Sequence, residues 1–217
     1  MHIPDGFLTV NAWAPAWLIS IGGIGYCLRK ATLTLKDKMI PLMGVMSAFV
    51  FAAQMLNFPI AGGTSGHLLG GVLAVVLLGP YAGAIVIAVV LIVQCFIFQD
   101  GGLTTLGANV LNMSIVGAMG GYLVYNPIRS VLGGQKGIIV GVAIAAWASV
   151  VLASCACAVE LAISGTSPLR VVLPVMVVSH MLIGIGEAII TSFIIGFILK
   201  VRPDLIYPAP AREVRGL

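Results

Sequence analysis

VLAVVLLGPYAGAIVIAVVLIVQCFIF (72–98) contains no charged residue in 27 positions, and GIIVGVAIAAWASVVLASCACAV (137–159) contains none in 23. Segments of about twenty such residues cross a bilayer as helices. The rest of the chain agrees. Of its 217 residues 60% are hydrophobic and only 8% charged, against about 25% charged in soluble domains. The sequence therefore predicts an all-α integral membrane protein of about seven transmembrane helices, near 11–28, 40–57, 67–79, 81–98, 106–125, 137–163 and 170–199. The third is short, and Gly79-Pro80 divides it from the fourth. A single membrane domain over 1–217 is expected: a segment 1–10, a bundle 11–199 and a polar tail 200–217.

The eleven Lys and Arg residues, with a net charge of +4, are scattered at helix ends and form no nucleic-acid footprint. With seven spans, RKATLTLKDK (29–38), NPIRSVLGGQK (126–136) and the tail fall on one side, and Arg170 alone falls opposite. Positive charge marks the cytoplasmic side, so the C-terminus is expected inside and MHIPDGFL (1–8) outside. No Lys or Arg precedes Arg29, which argues against a cleaved leader and for reading 1–10 as mature protein. NFPIAGGTSGH (57–67) and QDGGLTTLG (99–107) share the outer side. Exposed backbone is not tolerated in hydrocarbon, so both must lie at the surface or within protein, where they can converge with the N-terminus. All four cysteines, Cys27, Cys95, Cys155 and Cys157, sit in apolar stretches, which disfavours a disulfide framework. Residues two apart on a helix diverge by about 200°, so Cys155 and Cys157 cannot share one metal.

The opening residues carry the chemistry. A free amino terminus, with an ordinary pKa of about 8, is a nitrogen donor once deprotonated. His2 adds an imidazole one residue on. If a strongly Lewis-acidic metal displaces the intervening amide proton, the amine, the amide nitrogen and Nδ1 close two adjoining chelate rings with three nearly coplanar nitrogens. His67, one of only three histidines, is the natural fourth donor, and four nitrogens in a square suit Ni(II) or Cu(II). A terminal histidine is also commonly a solvated residue, and one opening a membrane helix a plain interfacial group. Asp5 is a candidate brace for the N-terminal segment, or an Asx turn with Gly6. Thr64, Ser65, Gln94, Asn109 and Asn112 are candidate supports of the ligands, as is Gln54, or they simply join helices. His180 and Glu187 share one helix face with Gly184 between, and His180 is a candidate deeper ligand or a supporting partner of the ligands, or else an interhelical polar contact. Ala48 and Ala52 repeat at a spacing that lets helices approach closely. The chain has no G-x-x-x-x-G-K-[ST] phosphate loop, H-E-x-x-H, G-x-S-x-G or C-x-x-C motif. ATP-driven transport would thus need an ATPase in another subunit, and no enzyme activity is expected.

Together, MHIPDGFL, FAAQMLNFPIAGGTSGHLLGG (51–71), DGGLTTLGANVLNM (100–113) and SHMLIGIGEA (179–188) resemble the CbiM/NikM family over nearly the whole chain. These are the substrate-specific membrane components of energy-coupling-factor (ECF) transporters for cobalt and nickel. The resemblance implies six helices shared with vitamin-specific relatives plus an added N-terminal helix, with the N-terminus tucked into the body. It implies as ligands the Met1 amine, the His2 amide and imidazole, and the His67 imidazole, with Ni(II) or Co(II) as transported substrate and no organic cofactor. The partners it implies are a transmembrane coupling subunit (EcfT-like), cytoplasmic ATPases (EcfA-like), often a small auxiliary membrane subunit, the lipid bilayer of a prokaryotic cytoplasmic membrane, and no nucleic acid. The helix of Ala48 and Ala52 is similar to the coupling surface of related components. Affinity is expected to fall in acid, the amine weakening first below neutrality and the imidazoles near pH 6.5. A secondary transporter and a membrane enzyme are the rival readings; no internal repeat or catalytic constellation supports either.

Overall fold

The structure is a computed structural model, which describes residues 1–34, 39–60 and 64–207, without the side chains of Phe58 and Thr64. Lys36, Lys38, Arg212, Arg215 and the side chain of Thr64, all used above, lie outside the described residues. The expected all-helical membrane architecture is present: seven helical runs among the described residues. They are α1 (Val10–Thr34), α2 (Met39–Gln54), α3 (Gly71–Leu78), α4 (Pro80–Phe98), a continuous run of α5 (Leu106–Val110), a π-helical segment (Leu111–Met119) and α6 (Gly120–Leu132), then α7 (Gly134–Ile163) and α8 (Leu169–Val201). Helices α4, α7 and α8 are long and apolar enough to cross a membrane. Their outer faces leave large apolar side chains uncovered, such as Phe96, Phe193 and Phe197. Lipid is the environment in which such faces cost nothing.

The third helix differs from the expected 67–79. It begins only at Gly71, because Gly70 adopts the left-handed conformation at φ +71° and residues 67–70 run irregularly before it. At eight residues α3 is about 12 Å long, too short to span alone. Every one of its residues is buried, so it forms the centre of the bundle. Gly83 of α4 packs on the backbone of Val75, and Gly71 packs on Ala118 of the π-helical segment. A second difference is a two-stranded antiparallel hairpin, β1 (Phe58–Ile60) with β2 (Thr64–Gly66), in register Phe58 with Gly66 and Ile60 with Thr64. Three residues per strand leave too little period-two pattern to be read from sequence.

Side-chain and backbone links sort the connections into two ends. At one, Asp5 bonds the 103–104 turn, Asn57 reaches Asp100, and Thr9 N–H donates to Ser164. At the other, the Tyr207 N–H donates to the Val76 carbonyl, and Arg129 donates to the Tyr207 carbonyl. The N-terminus thus shares its end with the two glycine-rich segments singled out in the sequence.

Candidate metal centre

Residues 1–8 do not fray. Met1 and Ile3 are fully buried, and His2 is 4% exposed. What holds them is the 99–109 region. The Ile3 N–H donates to Asn109 Oδ1 at 2.8 Å, and the Ile3 carbonyl accepts from Gly102 N–H at 2.9 Å, Thr105 Oγ1 at 2.5 Å and Asn109 Nδ2 at 3.2 Å. Asp5 accepts from the Leu103 and Thr104 amides at 2.9 and 2.8 Å and from the Thr104 hydroxyl at 2.5 Å. Those bonds, the hydroxyl first, hold its carboxyl below the usual range. Glycine is required where the two segments meet. A side chain at Gly101, at φ +90°, would strike the Asn109 amide at 2.8 Å, and one at Gly102 would strike Asp5 itself.

This anchoring delivers the first two residues to His67. The Met1 nitrogen lies 2.9 Å from His67 Nε2 and also contacts Ser65 through its carbonyl and, at 3.2 Å, its Oγ. The His2 N–H reaches the same Oγ at 3.3 Å. The two imidazoles stand 4.7 Å apart, centroid to centroid. Their outer nitrogens define which inner ones are bare. His67 Nδ1 donates to the Leu68 carbonyl at 2.8 Å, which leaves a lone pair on Nε2. His2 Nε2 is 3.1 Å from Gln94 Oε1, an acceptor, which leaves a lone pair on Nδ1. Among the described residues that Nδ1 has no hydrogen-bond partner, and it faces Asp100 Oδ1 at 3.5 Å. Fixing a ligand histidine's tautomer through its second nitrogen is how proteins orient metal ligands.

Burial also sets the protonation of these groups. Desolvation pushes the Met1 amine down to about 5 and His2 down to about 3, and it holds His67 well below the usual imidazole value. All three are uncharged near neutral pH, as metal donors must be. Asp100, half-buried, is raised by desolvation. An amine, an amide N–H and two imidazole lone pairs therefore converge, ready to chelate a divalent ion without first losing charge-bearing protons.

The structure brings Met1, His2 and His67 together, with Ser65, Gln94, Asn109 and Asp5 in contact with this cluster or its segment. It takes Asn112 elsewhere: on the π-helical segment, its amide donates to Glu160 Oε2 at 2.6 Å. His180 donates from Nδ1 to the Met176 carbonyl at 2.7 Å, and its Nε2 has no hydrogen-bond partner among the described residues. Ala48 and Ala52 lie on the exposed face of α2. Cys157 is buried and Cys155 half-buried, as their divergence on a helix requires. Sequence reasoning missed Asp100 and Thr105, and it left Glu187 without a role. Their partners are backbone or ring atoms about a hundred positions away, and no spacing rule reports such pairs.

The helical bundle and the buried N-terminal segment define an integral membrane protein that seats its own beginning against a histidine of an irregular internal segment. Residues 2–205 match the CbiM family, described as the cobalt uptake substrate-specific transmembrane region, and the chain belongs to this family of cobalt and nickel transport components. It is 44% identical over 208 residues to a putative fused nickel transport protein NikMN of Archaeoglobus fulgidus, covering 95% of this chain and 68% of that protein. It is 34% identical over 214 residues to a putative cobalt transport protein CbiM of Halobacterium salinarum, covering 94% and 96%. Among solved structures, a crystal structure of a truncated transition metal transporter superposes with a TM-score of 0.86 at 31% identity, covering 92% of this chain and 99% of that one.

Proposed function

We propose that this chain is the metal-capturing subunit of an ATP-driven ECF uptake system and that it binds Ni(II) through the Met1 amine, the His2 amide nitrogen and Nδ1, and His67 Nε2. The observation that carries this reading is the 2.9 Å approach of a buried Met1 nitrogen to His67 Nε2 beside an imidazole whose Nδ1 is bare. Four nitrogens in a plane favour Ni(II), whereas Co(II) ordinarily takes more ligands. The family description and the names of relatives include both metals, so cobalt is the second reading. The end that holds the site is the outer one, since Arg29, Lys30, Arg129, Lys136, Lys200 and Arg202 belong to the opposite end and positive charge stays inside. ATP hydrolysis falls to cytoplasmic partners, with the exposed Ala48–Ala52 face of α2 offered to a transmembrane coupling subunit in a prokaryotic cytoplasmic membrane.

One residue added before Met1 removes the terminal amine from its place. Calorimetry on that variant should find Ni(II) binding abolished with the helical content intact, and unchanged affinity refutes the chelate. His67→Ala should remove the fourth donor and most of the affinity. A diamagnetic, yellow Ni(II) complex supports the square of nitrogens; a paramagnetic six-coordinate one favours cobalt-type coordination. Metal uptake into vesicles by this chain without ATPases would overturn the ECF assignment.

A further inference from the structure

Between His67 and the start of α3 lie two residues whose backbone is held by distant side chains. Glu187 of α8, 1% exposed, accepts the Leu69 N–H on Oε2 and the Gly70 N–H on Oε1, each at 2.7 Å. Gln54 of α2, fully buried, donates its amide to the Leu69 carbonyl at 2.8 Å. None of these three bonds serves the helix that carries the side chain. The first N–H groups of any helix lack intrahelical acceptors, and in a membrane interior no water supplies them. Gly70, the residue before α3, has no side-chain cap of its own; Glu187, from across the bundle, accepts its N–H and that of Leu69 just outside the helix. A carboxylate is well suited to the positive end of a helix dipole. The same contacts fix the path of the chain two and three residues after His67. Gly70 also abuts Val50 of α2, one turn before Gln54, so the buried stripe Val50–Gln54 grips this segment while Ala48 and Ala52 face outward.

We infer that Glu187 and Gln54 are positioning residues of the metal site. They hold the Leu69–Gly70 backbone in the one irregular path that aims His67 Nε2 at the Met1 amine, and through Gln54 they tie α2 to a metal ligand. The inference rests on the reading of His67 as a ligand. Groups that orient a ligand without touching the metal typically cost about 10–100-fold in affinity when removed.

The test is Ni(II) calorimetry and absorption spectroscopy on the purified full chain. The variants are Glu187→Ala, Glu187→Gln, Gln54→Met, His67→Ala and the pair His67→Ala with Glu187→Ala. Glu187→Ala should weaken Ni(II) by about 10–100-fold and alter the visible band of the complex. Glu187→Gln keeps one acceptor oxygen and should lose less. Gln54→Met keeps the volume, removes the donor and should shift the band in the same direction. In the His67→Ala background, Glu187→Ala should cost nothing further, because it acts through that ligand. Wild-type affinity and band in Glu187→Ala overturn the inference, and so does a full additional loss on top of His67→Ala. If Glu187→Ala does not fold, Glu187→Gln and Gln54→Met decide by the same comparison, and unchanged binding in both overturns the inference. Failure of the underlying reading looks different: His67→Ala then binds like the wild type, whatever Glu187 does.

Discussion

In the proposed chelate His2 serves twice, through its backbone nitrogen and through its ring, and the two contributions respond to acid differently. The amide must release its proton to bind metal at any pH below its own very high pKa. The amine and imidazoles release none near neutrality, because burial holds Met1 at about 5 and His2 at about 3. This moves the acid limit well below the values free groups would set. Ni(II) affinity should therefore fall about tenfold per pH unit from 8 toward 5, one proton being released, and about a hundredfold per unit just below 5, where the amine also releases one. Calorimetry across that range checks it; a twofold steeper slope already at pH 7 would mean a protonated amine. The same group adds a pH-dependent term to the stability of the metal-free protein. Its folded pKa is about 5 and its ordinary value 8.0, so between these the unfolded chain holds more protons and stability rises with pH. The contribution is complete above pH 8 and is lost as pH falls toward 5. Melting of the metal-free protein should reflect this.

The proposed ligand residues could be singled out in the sequence because their geometry is local. Amine, amide and imidazole lie within two residues, and only three histidines compete for the fourth place. Asn112 was read into the same site because DGGLTTLGANVLNM looks uniform on paper. In the fold, Asn109 and Asn112 stand on a run that changes from α to π winding between them, and only Asn109 meets Ile3.

At the level of elements, the interruption before α3 decides the site. A helix starting at residue 67, as apolarity suggested, would have placed His67 in a first helical turn. Gly70 prevents this by adopting φ +71°, and a methyl group there would also come within 2.8 Å of Val50 Cγ2. Gly70→Ala is expected to destabilise the protein by about 1–3 kcal/mol. Adding Val50→Ala relieves the clash but not the backbone conformation, so only part of the stability should return in thermal unfolding. The 99–105 turn is the second such element. Asp5→Ala strips the acceptor from two amides and a hydroxyl, each bond contributing about 1 kcal/mol. Ni(II) affinity should drop about tenfold with helical content unchanged; an unaltered affinity would show that Ile3 and Asn109 anchor the segment alone. Helix count and approximate bounds were readable because apolar runs and Gly-Pro punctuation are strong signals. The hairpin was not, because its strands are only three residues long, and neither were the Glu187 bonds, which join segments more than a hundred residues apart.

Across the whole molecule, the sequence's distribution of charge and the structure's grouping of connections agree. Arg170 sits in the first turn of α8, at the end that holds the N-terminus, and Arg129 bonds Tyr207 at the other. Large apolar residues such as Leu18 and Phe193, 73% and 77% exposed, cover the flanks between these ends, which is the surface a bilayer would solvate. The proposed ligands come from the first residues and the middle of the chain, and the last long helix holds the segment that follows His67.

That arrangement has a consequence for biogenesis. With eight residues and no lipid-facing side, α3 is too short for the insertion machinery to recognise as a span. It is expected to enter the bilayer together with α4, on which it packs. The amides of Leu69 and Gly70 then wait for Glu187, which leaves the ribosome more than a hundred residues later. A nascent chain arrested before α8 emerges should be membrane-integrated yet unable to hold nickel, and the ability should arrive with the final helix.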